Sequence, residues 1–307
     1  MKPVVSRQSR DTSIPFDDYL AERAALIESF LDRCVPGEDT PPATISRAVR
    51  YSLFAGGKRM RPILVLACAE AVSGRMEDAL PAAAAFEMIH TYSLVHDDLP
   101  AMDDDSLRRG KPASHVVFGD AIAILAGDAL QTHAFKVLAE GDSPVDSEKR
   151  LRAVARLAAA SGASGMVGGQ VADLEAERTP ADAAGLEFIH RLKTGALIRA
   201  AAEVGAIIGG GSEDDIAGLT LYGEHIGLAF QIIDDILDVT GTAHTLGKSA
   251  GKDARAGKAA YPQMHGIDKA REKAQELVAK ALDALVPFGE RAEPLAELAK
   301  RFLRRTS

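Results

Sequence analysis

The chain has no tryptophan, two cysteines and only 5% aromatic residues among its 307 positions. With so few aromatics, and β-branched residues in short runs, there is little from which to build a sheet core. No alternating apolar–polar stretch competes with the helical spacings. Two cysteines, Cys34 and Cys68, are too few for a disulfide framework and read as reduced, buried thiols of a cytoplasmic protein. The basic excess that nucleic-acid binding requires is also missing. The formal charge is −8, so any anionic ligand has to be met by a local basic cluster or by metal ions. The longest charge-free run, residues 157–172, is 16 residues long and rich in Gly and Ser, too short and too polar to cross a bilayer. Residues 1–20 contain no apolar segment of the kind a secretory signal carries. The expectation is therefore no nucleic acid, no membrane insertion and a cytoplasmic location.

What the chain does have is 47% hydrophobic and 26% charged residues, a globular balance in which Ala and Leu favour helix. Residues 1–14 read as a disordered tail. After Pro15, apolar positions at helical spacing (Phe16, Tyr19, Leu20, Ala24, Ile27, Leu31) announce a first helix ending near Pro36-Gly37. Similar patterns predict helices at 43–55, 61–73, 77–99, 119–139, 146–161, 182–208, 214–240, 265–286 and 291–304, separated by Gly/Pro clusters. With no repeat and no linker, the fold class is all-α: one domain over 15–307 of about ten helices. Segments 77–99 and 214–240 are apolar nearly all round and belong at its centre.

Two acidic clusters interrupt these apolar helices, DDLPAMD at 97–103 and DDILD at 234–238. Buried like charges repel. Two carboxylates about 4 Å apart cost roughly 4 kcal/mol at an effective protein dielectric, and the simplest remedy is a set of divalent cations with an anionic ligand between the clusters. Asp234 and Asp238, four apart, share one helix face. Asp97 and Asp103 are six apart and fall on different faces of a regular helix. Pro100 lies between them and should break it, freeing Asp103 to turn back toward Asp97 and Asp98. Either cluster alone fits an exposed acidic turn equally well. Two of them, each after an apolar run, point away from that reading.

A basic counterpart accompanies them. GGKRMRP at 56–62 sets Gly57 beside Lys58, Arg59 and Arg61, and LRRG supplies Arg108 and Arg109, although one of these could simply pair with Asp103–Asp105. KTG contributes Lys193, and LGKSAGKDARAGK contributes Lys248, Lys252 and Lys258. Each lies at or near a glycine or a helix end, where backbone amides and cations can meet an anion. Carboxylates and Lys/Arg together in such turns describe a site for diphosphates bridged by Mg2+.

The segments GGKRMRP, EMIHTYSLVHDDLPAMDDDSLRRGKPASH, GGQVADLEAE, LKTGALI, FQIIDDILD and LGKSAGKDARAGKAAYP occur in this order between residues 56 and 262. In them the chain resembles the trans-polyprenyl diphosphate synthases, most closely the bacterial farnesyl diphosphate synthases. The resemblance implies helices around a central cavity, a homodimer, and several Mg2+ ions, with Mn2+ as a substitute. It also implies head-to-tail condensation of an allylic diphosphate (dimethylallyl or geranyl) with isopentenyl diphosphate to give farnesyl diphosphate. Carried over by motif, Asp97, Asp98, Asp103, Asp234, Asp235 and Asp238 would hold Mg2+ against the allylic diphosphate, which Arg108, Lys193, Lys248 and Lys258 would also contact. Gly57, Lys58, Arg61, His90 and Arg109 would form the isopentenyl diphosphate site. Thr194 and Gln231 would face the developing allylic cation, completing a catalytic set with Lys193 and Lys248. Gln170 and Asp173 would stand behind the acidic face. The nucleophile is an alkene, so neither His90 nor His96 is assigned as a base. Met60 replaces a more usual Leu, and Ala260 stands where a Thr often precedes Tyr-Pro. Residues 241–258 look like a lid that orders on binding diphosphate.

In family terms, chain length is set below the first acidic cluster. Ser93 lies one turn before Asp97, and Tyr92 is about 7.5 Å down the helix from it. An aromatic there beside a small residue, with the Leu99-Pro100 insertion, matches the fifteen-carbon type. The alternatives are a geranylgeranyl synthase, a terpene cyclase or a regulatory subunit of a hetero-oligomeric synthase. A cyclase does not need the second phosphate site of Lys58, Arg61 and Arg109, and a regulatory subunit should have lost an acidic cluster.

Overall fold

Helices that are apolar around their whole circumference have to sit where water does not reach. The computed structural model, which describes residues 15–140, 144–179, 181–240 and 260–304, places four of them at the centre. These are α3 (Met60–Ser73), α4 (Leu80–Asp97), α10 (Ala196–Ile208) and α11 (Glu213–Thr240), with α3 packed on α4 and α10, and α10 packed on α11. Twelve of the 18 residues of α4 are buried, as is every residue of α10 except Arg199. By length and composition α11 could cross a membrane, but it is clasped between α10 and α13 (Ile267–Leu285) and is a core helix.

Around this centre lie α1 (Phe16–Cys34), α2 (Ala43–Leu53), α5 (Ser114–Phe118), α6 (Asp120–Glu140), α7 (Ser147–Ser161), α8 (Met166–Arg178), α9 (Ala183–His190), α12 (Tyr261–His265) and α14 (Glu293–Arg304). Local chemistry sets several of their ends. The Asp146 carboxylate accepts the Lys149 amide at the start of α7, and Asp182 does the same for Gly185 at α9. The outer helices show one-sided burial: α13 buries Ala270, Ala274, Leu277, Val278, Ala281 and Leu285 at the spacing of a single face. Among the described residues the only strands are the two-residue pair β1 (Leu107–Arg108) and β2 (Lys111–Pro112). The all-α expectation holds.

Some boundaries differ from the sequence reading. Helix α8 occupies a stretch that predicted no helix, because four glycines between 162 and 169 dilute the apolar period. One of them has a positive use: a Cβ on Gly169 would stand 2.2 Å from the Lys193 amide nitrogen, so only glycine lets α8 lie on that backbone. The single helix predicted over 182–208 is α9 and α10 joined by a π-turn, Arg191–Gly195. The helix predicted from 77 opens with a 3-10 turn at Glu77–Ala79, and α12 precedes α13 as a separate turn. The tail 1–14 and the lid segment, with Lys248, Lys252 and Lys258, lie outside the described residues.

Arg59 leaves the basic cluster in which its sequence neighbours place it. It is 2% exposed. Its Nε donates to Glu28 Oε1 at 2.7 Å, its Nη1 to Glu87 Oε1, and its Nη2 to the Leu53 carbonyl at 2.7 Å. One side chain thus ties α1, the end of α2 and α4 to the start of α3. Replacing Arg59 by Ala leaves Glu87 buried without its cation and should cost about 3–5 kcal/mol, read as a lower midpoint in urea or thermal unfolding.

Candidate active site

The first acidic cluster forms where α4 ends. Asp97 is the last helical residue and Asp98 the cap. Past Pro100 the chain turns back as its composition predicts: the Asp103 amide donates to the Asp97 carbonyl at 2.8 Å, and the Asp105 amide to the Asp98 carbonyl at 3.2 Å. The β1–β2 hairpin follows, pairing Arg108 with Lys111 across two residues, Arg109 and Gly110. Both have positive φ, 54° and 78°, as a tight primed hairpin turn requires. Gly110 adopts this freely, whereas Arg109 is held there at some strain.

This geometry sends the two arginines to different partners. Arg108 Nε donates to Asp98 Oδ1 at 3.0 Å and Oδ2 at 3.1 Å, and its Nη2 also meets Oδ1. Asp98 is 2% exposed. Its carboxylate holds Arg108 rather than lying open beside Asp97. Arg109 Nη1 donates to the Gly56 carbonyl, and its guanidinium lies over Gly57, where a Cβ would stand 2.5 Å from Cζ. The glycine pair of GGKRMRP is thus the floor beneath Arg109.

Asp97 is crowded. Burial, then Asp103 and Asp98, push its carboxyl up to about 6, against the pull of Lys193 and Arg108. The basic side shows the opposite imbalance. Burial and Arg109 push the Arg61 guanidinium down, partly offset by Glu87 and Asp234. Burial, together with Arg61, Arg109, Arg108 and Arg59, holds His90 well below the usual imidazole range, which favours its neutral form. These mutual influences chain together Asp234, Arg61, His90, Arg108, Asp97 and Lys193. The structure therefore gathers the acidic and basic motifs into one site, with like charges of each sign side by side.

The second cluster is divided. Asp234 faces Arg61, while Asp238 lies in the exposed last turn of α11. Asp235 turns inward. Its Oδ1 accepts Gln231 Nε2 at 3.0 Å, and its Oδ2 accepts the Tyr261 amide at 2.9 Å. Gln231 Oε1 in turn accepts the Thr194 hydroxyl at 2.7 Å, and Lys193 Nζ reaches Asp173 at 2.7 Å. Lys193 and Thr194 belong to the π-turn, which is pressed between Gly169 of α8 and Gly227 of α11; a Cβ on Gly227 would come 3.0 Å from Gly195 Cα. π-Turns of this kind concentrate at functional positions. Lys58 is exposed, and Ser93 Oγ donates to the His90 carbonyl at 2.8 Å. Tyr92 is 5% exposed and meets His96 edge-on with ring centroids 5.6 Å apart. The sequence reading missed His190, whose Nε2 lies 3.4 Å from Asp235 Oδ2 and whose pKa is lowered to about 4, chiefly by burial. Its place three residues before Lys193 was the available signal.

The polyprenyl synthetase signature matches residues 42–286. The chain belongs to this family. As a polyprenyl synthetase it is a prenyltransferase, and its relatives agree. It is 49% identical to the heterodimeric geranylgeranyl pyrophosphate synthase large subunit 1 of Arabidopsis thaliana, over 95% of this chain and 80% of that one. It is 48% identical to a dimethylallyltranstransferase of Fischerella ambigua, over 94% and 83%. An FPP/GFPP synthase from Zymomonas mobilis superposes with a TM-score of 0.85 at 40% identity, over 94% and 98% of the two chains.

The carboxylates of this polyprenyl synthetase fit a hard divalent cation. All are oxygen donors, and the raised pKa of Asp97 records a carboxylate that burial, then Asp103 and Asp98, penalise in its charged form, a penalty that a cation would relieve. Among the described residues no three acidic, His or Cys side chains converge as a metal cage. Because Asp97 titrates higher folded than unfolded, it favours the folded state below about pH 4, and that contribution is lost as pH rises to about 6. Above that pH the bare carboxylate is a standing penalty that a cation offsets. The rise in Tm produced by Mg2+ with inorganic diphosphate should accordingly grow from pH 5 to pH 7 and then level off, as thermal unfolding at stepped pH would show.

Proposed function

We propose that the protein condenses dimethylallyl or geranyl diphosphate with isopentenyl diphosphate head-to-tail, giving farnesyl diphosphate, as a Mg2+-dependent homodimer in the cytoplasm. The observation that carries this reading is the division of the site. A carboxylate half contains Asp97, Asp103 and Asp234, and a guanidinium half contains Arg61 and Arg109, whose charges, after burial, hold the nearby His90 down. One half suits a diphosphate that leaves with metal, the other a diphosphate that stays.

Mg2+, when bound by Asp97, Asp103, Asp234 and Asp238, neutralises the leaving diphosphate. Arg108 and Lys193 add fixed positive charge beside it, already oriented by Asp98 and Asp173 and so costing no reorganisation during the reaction. Lys58, Arg61 and Arg109 hold the second diphosphate so that its alkene lies against the ionising carbon. The Thr194 hydroxyl donates to Gln231, which leaves its oxygen lone pairs to face the allylic cation. Buried α4 and α11 side chains keep water from that cation, and the proton released on forming the new double bond passes to the departed diphosphate.

Tyr92 supports the fifteen-carbon product: it is a buried aromatic below Asp97 on the same helix. A twenty-carbon product is the second reading, favoured by likeness to a relative named as a geranylgeranyl synthase subunit. Incubating the pure protein with dimethylallyl and labelled isopentenyl diphosphates and Mg2+, then sizing the dephosphorylated products, should show mainly farnesol, and Tyr92→Ala should shift them to longer chains. A C20 product from the unaltered protein would remove Tyr92 from the role. No elongation at all would overturn the condensation.

A further inference from the structure

Asp234 and Asp235 are adjacent in sequence and project about 100° apart around α11. Asp234 acts on Arg61 across the site. Asp235 is 8% exposed; it accepts from Gln231 Nε2 on its own helix at 3.0 Å and from the Tyr261 amide at the start of α12 at 2.9 Å, and His190 Nε2 of α9 lies 3.4 Å away. A carboxylate surrounded by donors on its protein side has little reason to leave them for a hydrated cation. What it does instead follows from its first partner. Gln231 carries both a carbonyl and an amide NH2, and either could face Thr194. Asp235 accepts only, so it captures the NH2 and forces the carbonyl toward the Thr194 hydroxyl, 2.7 Å away.

We propose that Asp235 is a positioning residue rather than a metal ligand, and that with His190 it sets the orientation of Gln231 and Thr194 toward the reacting cation. This rests on the prenyl-transfer reading above. The polarity runs one way along the row. Asp235 takes the amide of Gln231, Gln231 takes the hydroxyl proton of Thr194, and the Thr194 oxygen is left facing the substrate with its lone pairs. Reversing the Gln231 amide would make Thr194 accept and turn its proton toward a carbocation.

Asp235→Asn provides that reversal with little change in volume. Asn presents one acceptor and one NH2 where both Gln231 and Tyr261 donate. If the Tyr261 amide keeps the acceptor, the Gln231 amide has to flip. The expected result is kcat lowered roughly tenfold to a hundredfold, the range for losing a supporting hydrogen-bond partner. KM for both diphosphates and the half-saturating Mg2+ concentration should stay the same. The rise in Tm with Mg2+ and inorganic diphosphate should also equal that of the unaltered protein, whereas Asp234→Asn should diminish it.

If Asp235→Asn diminishes the Tm rise as Asp234→Asn does, or raises the Mg2+ requirement, Asp235 is a ligand and the proposal fails. Unchanged kcat would overturn it equally. His190→Leu and His190→Gln form the second pair. Gln retains a donor and should preserve kcat within a few-fold, while Leu should lower it with the Mg2+ response intact. Equal kcat for the two would remove His190 from the role. Should the unaltered protein make no prenyl product, the reaction reading falls, and the Tm response alone decides whether Asp235 holds metal.

Discussion

Like charges held side by side govern this structure. Burial, with Asp103 and Asp98 beside it, raises Asp97, and burial, with Arg109 beside it, lowers Arg61. Such arrangements cost free energy and persist only when the surrounding scaffold gives the side chains nowhere else to go. Here the scaffold is the set of central helices α3, α4, α10 and α11, whose apolar circumference fixes their ends. Arg59 reinforces it: a buried cation held by Glu28, Glu87 and the Leu53 carbonyl, two residues before Arg61. The stability of the bundle is what allows like charges to sit together at its rim.

Much of this was legible in the sequence. Apolar helices around a centre follow from spacing, and so does the reversal of Asp103 at Pro100, because both depend on local chemistry. The gathering of GGKRMRP, LRRG and KTG around the acidic clusters was legible from charge logic and from resemblance. Other features were not. Nothing in KRMR distinguishes Arg59 from Arg61; only the positions of Glu28 and Glu87, on other helices, decide that Arg59 is drawn inward as a tie between helices. The aspartates of DDILD likewise look equivalent as letters, and α11 separates them by rotation alone.

Glycine misled in one place and informed in another. The glycines before α8 hid a helix because they weaken its period, yet Gly169 is what allows that helix to touch the π-turn. Gly57 was read as part of an anion site; in the structure its missing side chain is the space Arg109 occupies. In both cases the residue matters for what it leaves empty, which spacing arguments do not measure.

The π-turn at Arg191–Gly195 has a consequence for how the two halves of this helical run are phased. A π-turn is equivalent to one residue inserted into an α-helix, so α9 and α10 are out of step by about 100°. That offset lets α9 aim His190 at Asp235 while α10 keeps its own faces in the core. It also places two polar residues, Lys193 and Thr194, on one short arc between Asp173 and Gln231. Shortening the turn by one residue would rotate His190, beside Asp235, out of register with the Thr194 hydroxyl and its partner Gln231. The site is therefore encoded partly as a count of residues, independent of their identity.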